Sequence, residues 1–264
     1  MRISEVVNGS NFRTLCNKVI DADTIHDQRD YQSGDIVFCK TDLLREFFNE
    51  VDDFKGKLKL VTHQSDYSIG DCWFYSKPKC ITKWFAQNVN YKHPDLIPIP
   101  IGIENHAGPS KGTCIDLDFI EKELPIRCEK QNKIYVNFNN THPNRFNVRA
   151  KLKNCEHAFF SGGNLSSADY HREMAQYMFV ASPRGNGIDC HRTWEALLVG
   201  SIPIVESHFM YDSYAGLPII QIDSWDEVLE KDFLQKAVVS ICGKPIMLDQ
   251  LQMSYWRNKI HGIN

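Results

Sequence analysis

Phe179-Val-Ala-Ser-Pro-Arg-Gly-Asn-Gly-Ile-Asp-Cys-His-Arg-Thr-Trp-Glu-Ala-Leu-Leu-Val-Gly-Ser-Ile-Pro-Ile-Val205 decides the fold. An apolar, β-branched run ends at Ser182, which predicts a strand over 179–182. Pro183, Arg184, Gly185, Asn186 and Gly187 then read as a loop, and a helix is predicted over 190–199 with Asp189 as its cap. Ile202-Pro-Ile-Val205 returns as a second strand. Strand, glycine loop, helix and strand make one βα unit of a parallel sheet. The chemistry of the loop follows from its residue types. Glycines let backbone N–H groups approach an anion, and a helix start adds unpaired N–H donors and about half a positive charge. Arg184 and Arg192 bracket the loop, and a guanidinium can grip phosphate oxygens with two parallel bonds. Glu195, one turn into the helix, could accept hydrogen bonds from a diol such as a ribose. The segment lacks the Gly-Lys-Ser/Thr ending of a P-loop and the Gly-x-Gly-x-x-Gly spacing of a dinucleotide site, so neither of those phosphate-binding designs applies.

The same alternation extends in both directions. Upstream, strands are predicted at 35–39, 59–62, 133–138 and 157–160, with helices at 41–48, 81–88, 145–153 and 167–178, the last capped by Ser167. Leu96-Ile-Pro-Ile-Pro-Ile-Gly-Ile103 reads as extended, and its prolines suit a sheet edge. Downstream come a strand at 217–222 and helices at 225–234 and 248–260. Between Gly108 and Cys128, prolines, glycines and charges interrupt the pattern and predict a linker. The expectation is therefore two α/β halves, 1–125 and 126–264, facing each other across a cleft. The last helix is expected to reach back to the first half. Ligands of open α/β sheets sit outside the carboxyl ends of the strands, so such a cleft suits a two-part substrate.

Composition narrows the classes. The chain has 264 residues, 42% hydrophobic and 24% charged, which is enough to bury a sizeable core. Its net charge of −3 makes no electrostatic case for nucleic acid or an anionic membrane. Nine cysteines, an odd number with no Cys-x-x-Cys pair, read as reduced thiols of a cytoplasm-like compartment. No apolar run approaches the roughly 20 residues of a membrane helix, and no signal peptide is visible at the start.

The stretch 182–205 resembles the nucleotide-sugar motif of exostosin-like glycosyltransferases. Lys83-Trp-Phe-Ala-Gln-Asn88 with Pro98-Ile-Pro-Ile-Gly-Ile-Glu104, and Asn137-Phe-Asn-Asn140 with Arg145 and Arg149, are similar to further parts of that family. The resemblance spans about residues 60–225. It implies a GT-B fold of two Rossmann-like domains, with the donor in the second and the acceptor in the first. It also implies inverting transfer of a sugar from a UDP-sugar to a glycan hydroxyl, without an essential metal and with no cofactor beyond the donor. In size and layout the chain is most similar to small soluble xylose-transferring members. By the same resemblance, Arg145, Arg184 and Arg192 meet the phosphates and Glu195 the ribose, with Ser182, Pro183, Gly185, Asn186, Gly187 and Asp189 completing the donor loop. Cys190 stands where a serine is common in the family, and the chain is shorter than most members.

Inversion needs a base from the acceptor side. Asp66, just past the 59–62 strand, is the first candidate, His63 the second, with an ordinary pKa suited to neutral pH, and Glu104 the third. Trp73, Phe74, Tyr75 and Trp84 are expected in or near the acceptor half, and Tyr211 and Tyr214 near the donor. Asp21-Ala-Asp23 and Asp116-Leu-Asp118 have a metal-diphosphate spacing but read as solvated loops. Two alternatives stay open: a GDP-sugar donor, or a module that binds sugar nucleotides or glycans without turnover.

Overall fold

The computed structural model describes residues 5–24, 29–104, 120, 129–163, 165–242 and 245–263. The interruption predicted between Gly108 and Cys128, with Asp116 and Asp118, lies outside the described residues apart from Ile120.

The chain folds as an α/β protein built on two five-stranded parallel sheets. The first holds β1 (Lys18–Ile20), β2 (Ile36–Lys40), β3 (Leu58–His63), β4 (Ile81–Ala86) and β5 (Leu96–Pro98), in that order across the sheet. Short helices α1 (Gly9–Thr14), α2 (Leu44–Val51) and α3 (Asp71–Ser76) accompany it. Sequence order is kept throughout, without the reversal of a doubly wound sheet. The proline-rich stretch provides the edge strand β5.

Residues 81–88, expected to be helical, instead form β4. Ile81 and Thr82 are β-branched, and Trp84 and Phe85 are buried on opposite faces, which suits a strand with neighbours on both sides. The Trp84 indole N–H donates to Thr62 Oγ1 at 2.8 Å, so its one polar atom is satisfied inside the core.

The second sheet holds β6 (Gln131–Val136), β7 (Ala158–Phe160), β8 (Tyr177–Ala181), β9 (Ile202–Glu206) and β10 (Ile220–Ile222), ordered β10-β9-β8-β6-β7. Its helices are α4 (Pro143–Leu152), α5 (Ser167–Met174), α6 (His191–Leu198) and α7 (Phe233–Ile241). The strand order reverses between β6 and β8, the switch point at whose carboxyl ends open α/β sheets bind their ligands. Two helix expectations shift. Ser166, not Ser167, caps α5 by accepting from Asp169 N at 3.1 Å. The helix predicted over 225–234 is a short 3-10 turn, Glu227–Leu229, followed by α7. Lys130 is buried and donates to the carbonyls of Ala175 and Val199 beyond the ends of α5 and α6.

The period-2 alternation of the strands sorts their side chains into separate cores. Val37, Leu60 and Trp84 face a cluster private to the first sheet, while Ile134, Phe179 and Ile204 face one private to the second. Phe38, Val61 and Phe85 from the first sheet share a third cluster with Tyr135, Val180 and Val205 from the second. The last helix, α8 (Met253–His261), belongs to that shared layer. Trp256 is fully buried, edge-on to Phe12 at 6.0 Å and to Tyr214 at 6.2 Å. Its burial is worth about 1.5–3 kcal/mol by area. Lys59 Nζ donates to Ile260 O at 2.7 Å, and His261 Nε2 lies 3.1 Å from Leu15 O, so α8 bonds directly to the first half.

All seven cysteines among the described residues are free. No helix among those residues is long and apolar enough to cross a membrane.

Candidate functional site

The reversal point of the second sheet is laced by two arginines. The loop after β6 runs from Asn137 to His142. The His142 side chain caps α4 by accepting from Asn144 N at 3.2 Å, and Pro143 occupies the first turn, where a missing N–H costs nothing. One turn in, Arg145 is buried and bridges the loops after β6 and β8. It donates to Asn139 O at 3.1 Å and Thr141 Oγ1 at 2.9 Å in the β6 loop, and to Arg184 O at 3.0 Å and Pro183 O at 3.4 Å in the β8 loop. Arg192, in the first turn of α6, donates through Nε to Asn137 O at 3.0 Å. Its guanidinium lies over the Phe138 ring at 5.5 Å, and that of Arg149 over the same ring at 4.9 Å. Among the described residues, none of Arg145, Arg149, Arg184 and Arg192 forms an ion pair with a carboxylate.

Burial and the neighbouring charge of Arg192 hold Arg145 below the usual arginine range. Arg192 is raised: burial works against its charge, but Tyr170, Cys190 and Glu195 outweigh it. Two arginines this close, without a directly paired carboxylate, make a locally positive point that favours an anion.

The loop between β8 and α6 differs from expectation in its details. Asp189 does not cap α6. Cys190 holds that position without a side-chain cap bond, while Asp189 turns inward and is buried. Asp189 Oδ1 accepts from Cys190 N at 2.9 Å, and Oδ2 accepts from Ile101 N at 2.9 Å and Trp194 Nε1 at 2.8 Å. It thus joins the stretch after β5 to the start of α6. Burial outweighs these bonds and pushes its carboxyl up to about 6. Ser182 is likewise internal, with Oγ 2.9 Å from Thr193 Oγ1 and 3.1 Å from Cys190 Sγ. Both residues shape the loop rather than offer themselves to a ligand.

The two loop glycines have no positive φ, so conformation does not require them. Space does. A Cβ on Gly185 would lie 2.9 Å from Arg145 Nη2, and one on Gly187 2.7 Å from Asn88 Nδ2. Asn88 is fully buried and is the second tie between the halves, donating to Ser65 O at 3.2 Å and accepting from Asp189 N at 2.9 Å. Gly187→Ala is therefore expected to cost about 1–3 kcal/mol by overpacking. Gly162→Ala, at an exposed position with nothing near its Cβ, should stay within about 0.5 kcal/mol. Urea denaturation of both variants checks this, and equal costs would mean that Asn88 moves aside.

A cavity of about 750 Å³ lies where the carboxyl ends of β2 and β3 meet the loop before α6. Its wall includes Asp21, Lys40, His63, Asp66, Glu104 and His191. Of residues 182–189, Asn186 alone lines it, and its side-chain amide reaches Asp66 Oδ2 at 3.3 Å. His63 lines the cavity, but Nε2 faces Pro100 O at 3.0 Å and Nδ1 accepts from Gln64 N at 2.8 Å. A carbonyl only accepts, so the ring is neutral with its proton on Nε2. Burial depresses its pKa to about 4. Both nitrogens are committed to the main chain, which removes the lone pair that a base in this position needs.

Gln64 and Asn88 adopt positive φ of 61° and 55°, a rare conformation for residues with side chains. Asp21 is no solvated loop residue. It accepts from Arg13, Thr24 and the Asp23 backbone, and although burial pushes its carboxyl up, these bonds outweigh it and leave it below the usual range.

Glu195 is buried 3.9 Å from His171 Nε2, and Glu104 N approaches its Oε1 at 3.5 Å. Burial pushes its carboxyl up, but His171, His191 and Arg192 outweigh that and hold it below the usual range. Neither ring nitrogen of His171 has a hydrogen-bond partner among the described residues.

The expected aromatics divide. Trp84, Phe74, Tyr211 and Tyr214 are core residues, while Tyr75 is 74% exposed with its hydroxyl 2.6 Å from that of Tyr91.

The sequence reading missed Asn88, Asn137 and His191. Asn137 and Asn88 lay inside quoted segments, but nothing in their spacing tells that they face residues 55 and 101 positions away. Among the described residues no group of three His, Cys, Asp or Glu side chains is placed to hold a metal ion. Compared with known proteins, the chain matches no family model and no curated protein.

Proposed function

We propose that this chain is a glycosyltransferase that takes a sugar from a nucleoside-diphosphate donor, most simply a UDP-sugar such as UDP-xylose, and passes it to a hydroxyl of a glycan. In this reading the two sheets are the donor and acceptor parts of a GT-B arrangement. The observation that carries it is the strand reversal of the second sheet, whose two loops are bridged by Arg145 and Arg192 beside the start of α6, with no carboxylate paired to either arginine among the described residues.

The chemistry follows from charge. As the bond from the sugar C1 to the β-phosphate oxygen breaks, that oxygen gains negative charge. Arg192, Arg184 and the N–H groups opening α6 are already oriented to receive it, so little reorganisation is needed. Arg145 contributes its field and holds the two loops together. Glu195, whose carboxyl is held below the usual range in the first turns of α6, accepts from the ribose diol in this reading. The acceptor occupies the cavity beside Asp66 and Glu104.

A donor-hydrolysis assay tests this directly. Purified protein is incubated with UDP- and GDP-sugars in the presence of EDTA, and free nucleotide is measured. The expected result is slow release from one UDP-sugar, unaffected by the chelator. Release from a GDP-sugar alone would change the donor. UDP binding by calorimetry without any turnover, in the presence or absence of glycan acceptors, would favour a module that binds without reaction. Absence of both turnover and binding would overturn the reading of residues 182–192.

A further inference from the structure

Resting on the transferase reading, we infer that His191, oriented by the Gly102 carbonyl and backed by Glu104, is the group that takes the proton from the acceptor hydroxyl. Three observations meet at this ring. First, His191 Nδ1 lies 2.7 Å from Gly102 O. Since the carbonyl only accepts, Nδ1 carries the hydrogen, and the neutral ring presents its lone pair at Nε2. Second, His191 and Glu104 both line the 750 Å³ cavity, with Nε2 3.5 Å from Glu104 Oε2. That separation is too long for a good hydrogen bond but suits an ion pair once the ring gains a proton. A hydroxyl entering the cavity can donate to Nε2 beside the carboxylate. Third, His191 is the first residue of α6, the helix that carries Arg192 and Glu195. Proton acceptor and donor cradle thus share one rigid element, which fixes their separation.

The orienting carbonyl is itself held tightly. Gly102 has φ of +71°, and a Cβ there would lie 2.1 Å from Val7 O, so no other residue fits. Ile103 N donates to Val7 O at 2.9 Å, which pins the turn to the N-terminal segment. The carbonyl fixes the tautomer from the Nδ1 side, as the orienting partner of a catalytic histidine does, while Glu104 lies on the Nε2 side, where it favours the ring once that nitrogen has taken up a proton.

The step balances without another reactant. The acceptor oxygen forms its bond to the sugar C1 while the C1–phosphate oxygen bond breaks. That electron pair leaves on the nucleoside diphosphate, and the hydroxyl proton passes to His191 Nε2. Asp66, exposed and held by Asn186, then borders the cavity mouth instead of serving as the base.

The test uses UDP-xylose with water as acceptor, alongside calorimetric UDP binding, for wild type, His191→Ala, Glu104→Gln and Asp66→Asn. His191→Ala is expected to lose roughly 100-fold to 10,000-fold in turnover, as removal of a general base does, while still binding UDP. Added imidazole should restore part of that rate, which a purely structural role would not allow. Glu104→Gln should lose roughly fivefold, the worth of a partly exposed ion pair. Asp66→Asn, which borders the acceptor, should lose far less than His191→Ala and should not respond to imidazole. Near-normal turnover by His191→Ala would overturn the assignment. So would a loss that imidazole does not rescue together with inactivity of Asp66→Asn, or loss of UDP binding in His191→Ala. Failure of wild type to bind UDP would instead overturn the transferase reading, and this assignment with it.

Discussion

Arg192→Ala is expected to lower kcat/KM for sugar transfer by roughly 100-fold or more, the usual cost of deleting one pre-organised donor to a developing negative charge. The size of the effect follows from where the guanidinium sits. It is placed between the β6 loop and the first turn of α6, bonded through Nε to Asn137 O and braced on the Phe138 ring, with Nη1 4.0 Å from Cys190 Sγ at the helix start. It therefore reaches the transition state already oriented. Water cannot substitute for it cheaply, because the alanine leaves Arg145 alone between the two loops. Arg192→Lys should recover part of the loss at most, since an ammonium supplies charge but not a fork. Steady-state rates on the donor found by hydrolysis check this, with circular dichroism confirming the fold. A folded Arg192→Ala protein with a normal rate would mean that the diphosphate lies elsewhere.

Asp189→Ala should be the most damaging single change to stability near the site, costing about 3 kcal/mol or more. Its carboxylate is the shared acceptor for Cys190 N, Ile101 N and the Trp194 indole, and each buried donor left without a partner costs about 1–3 kcal/mol. The effect carries a pH signature with a definite sign. Burial raises the Asp189 carboxyl from its ordinary 3.8 to about 6 in the folded chain. Between those two values the folded protein holds a proton that the unfolded chain has released, so its contribution to stability grows as pH falls through about 6 and is complete below about 3.8. The stability gap between wild type and Asp189→Ala should therefore widen by about 3 kcal/mol from neutral to acid pH. Urea unfolding across that range measures it. A gap that does not change would show that the three N–H donors keep the carboxylate ionised throughout.

The second half of the molecule was the more legible in sequence. The strand, glycine loop, helix and strand over 179–205 were each found within a residue or two, because period and punctuation coincide there. The first half was harder. Residues 81–88 mix β-branched, aromatic and charged side chains over a length that a short helix or a strand can accommodate, and pairing with β3 and β5 decides the outcome. The three-residue β1 is too short to carry a period at all.

At the candidate site, residue types single out the loop after β8 but not the part each side chain plays in the structure. Arg145 could be named from the sequence, yet its four hydrogen bonds to two loops depend on where β6 and β8 lie in the sheet. Asp189 had the composition of a cap and became an internal joint because Ile101 and Trp194 converge on it. His63 was attractive for its ordinary pKa, which burial and two main-chain partners then displaced.

The path of α8 has a consequence for the order in which the protein can be made. Phe12, near the beginning of the chain, completes its packing only against Trp256, and Val7 N bonds to Leu251 O at 3.1 Å. A growing polypeptide presents these partners to each other only after nearly everything between them has left the ribosome. The private cluster of the first sheet can condense early, but the shared layer must wait. During synthesis, then, Phe12 and its neighbours form a sticky surface with no cover, which is the kind of surface that chaperones hold.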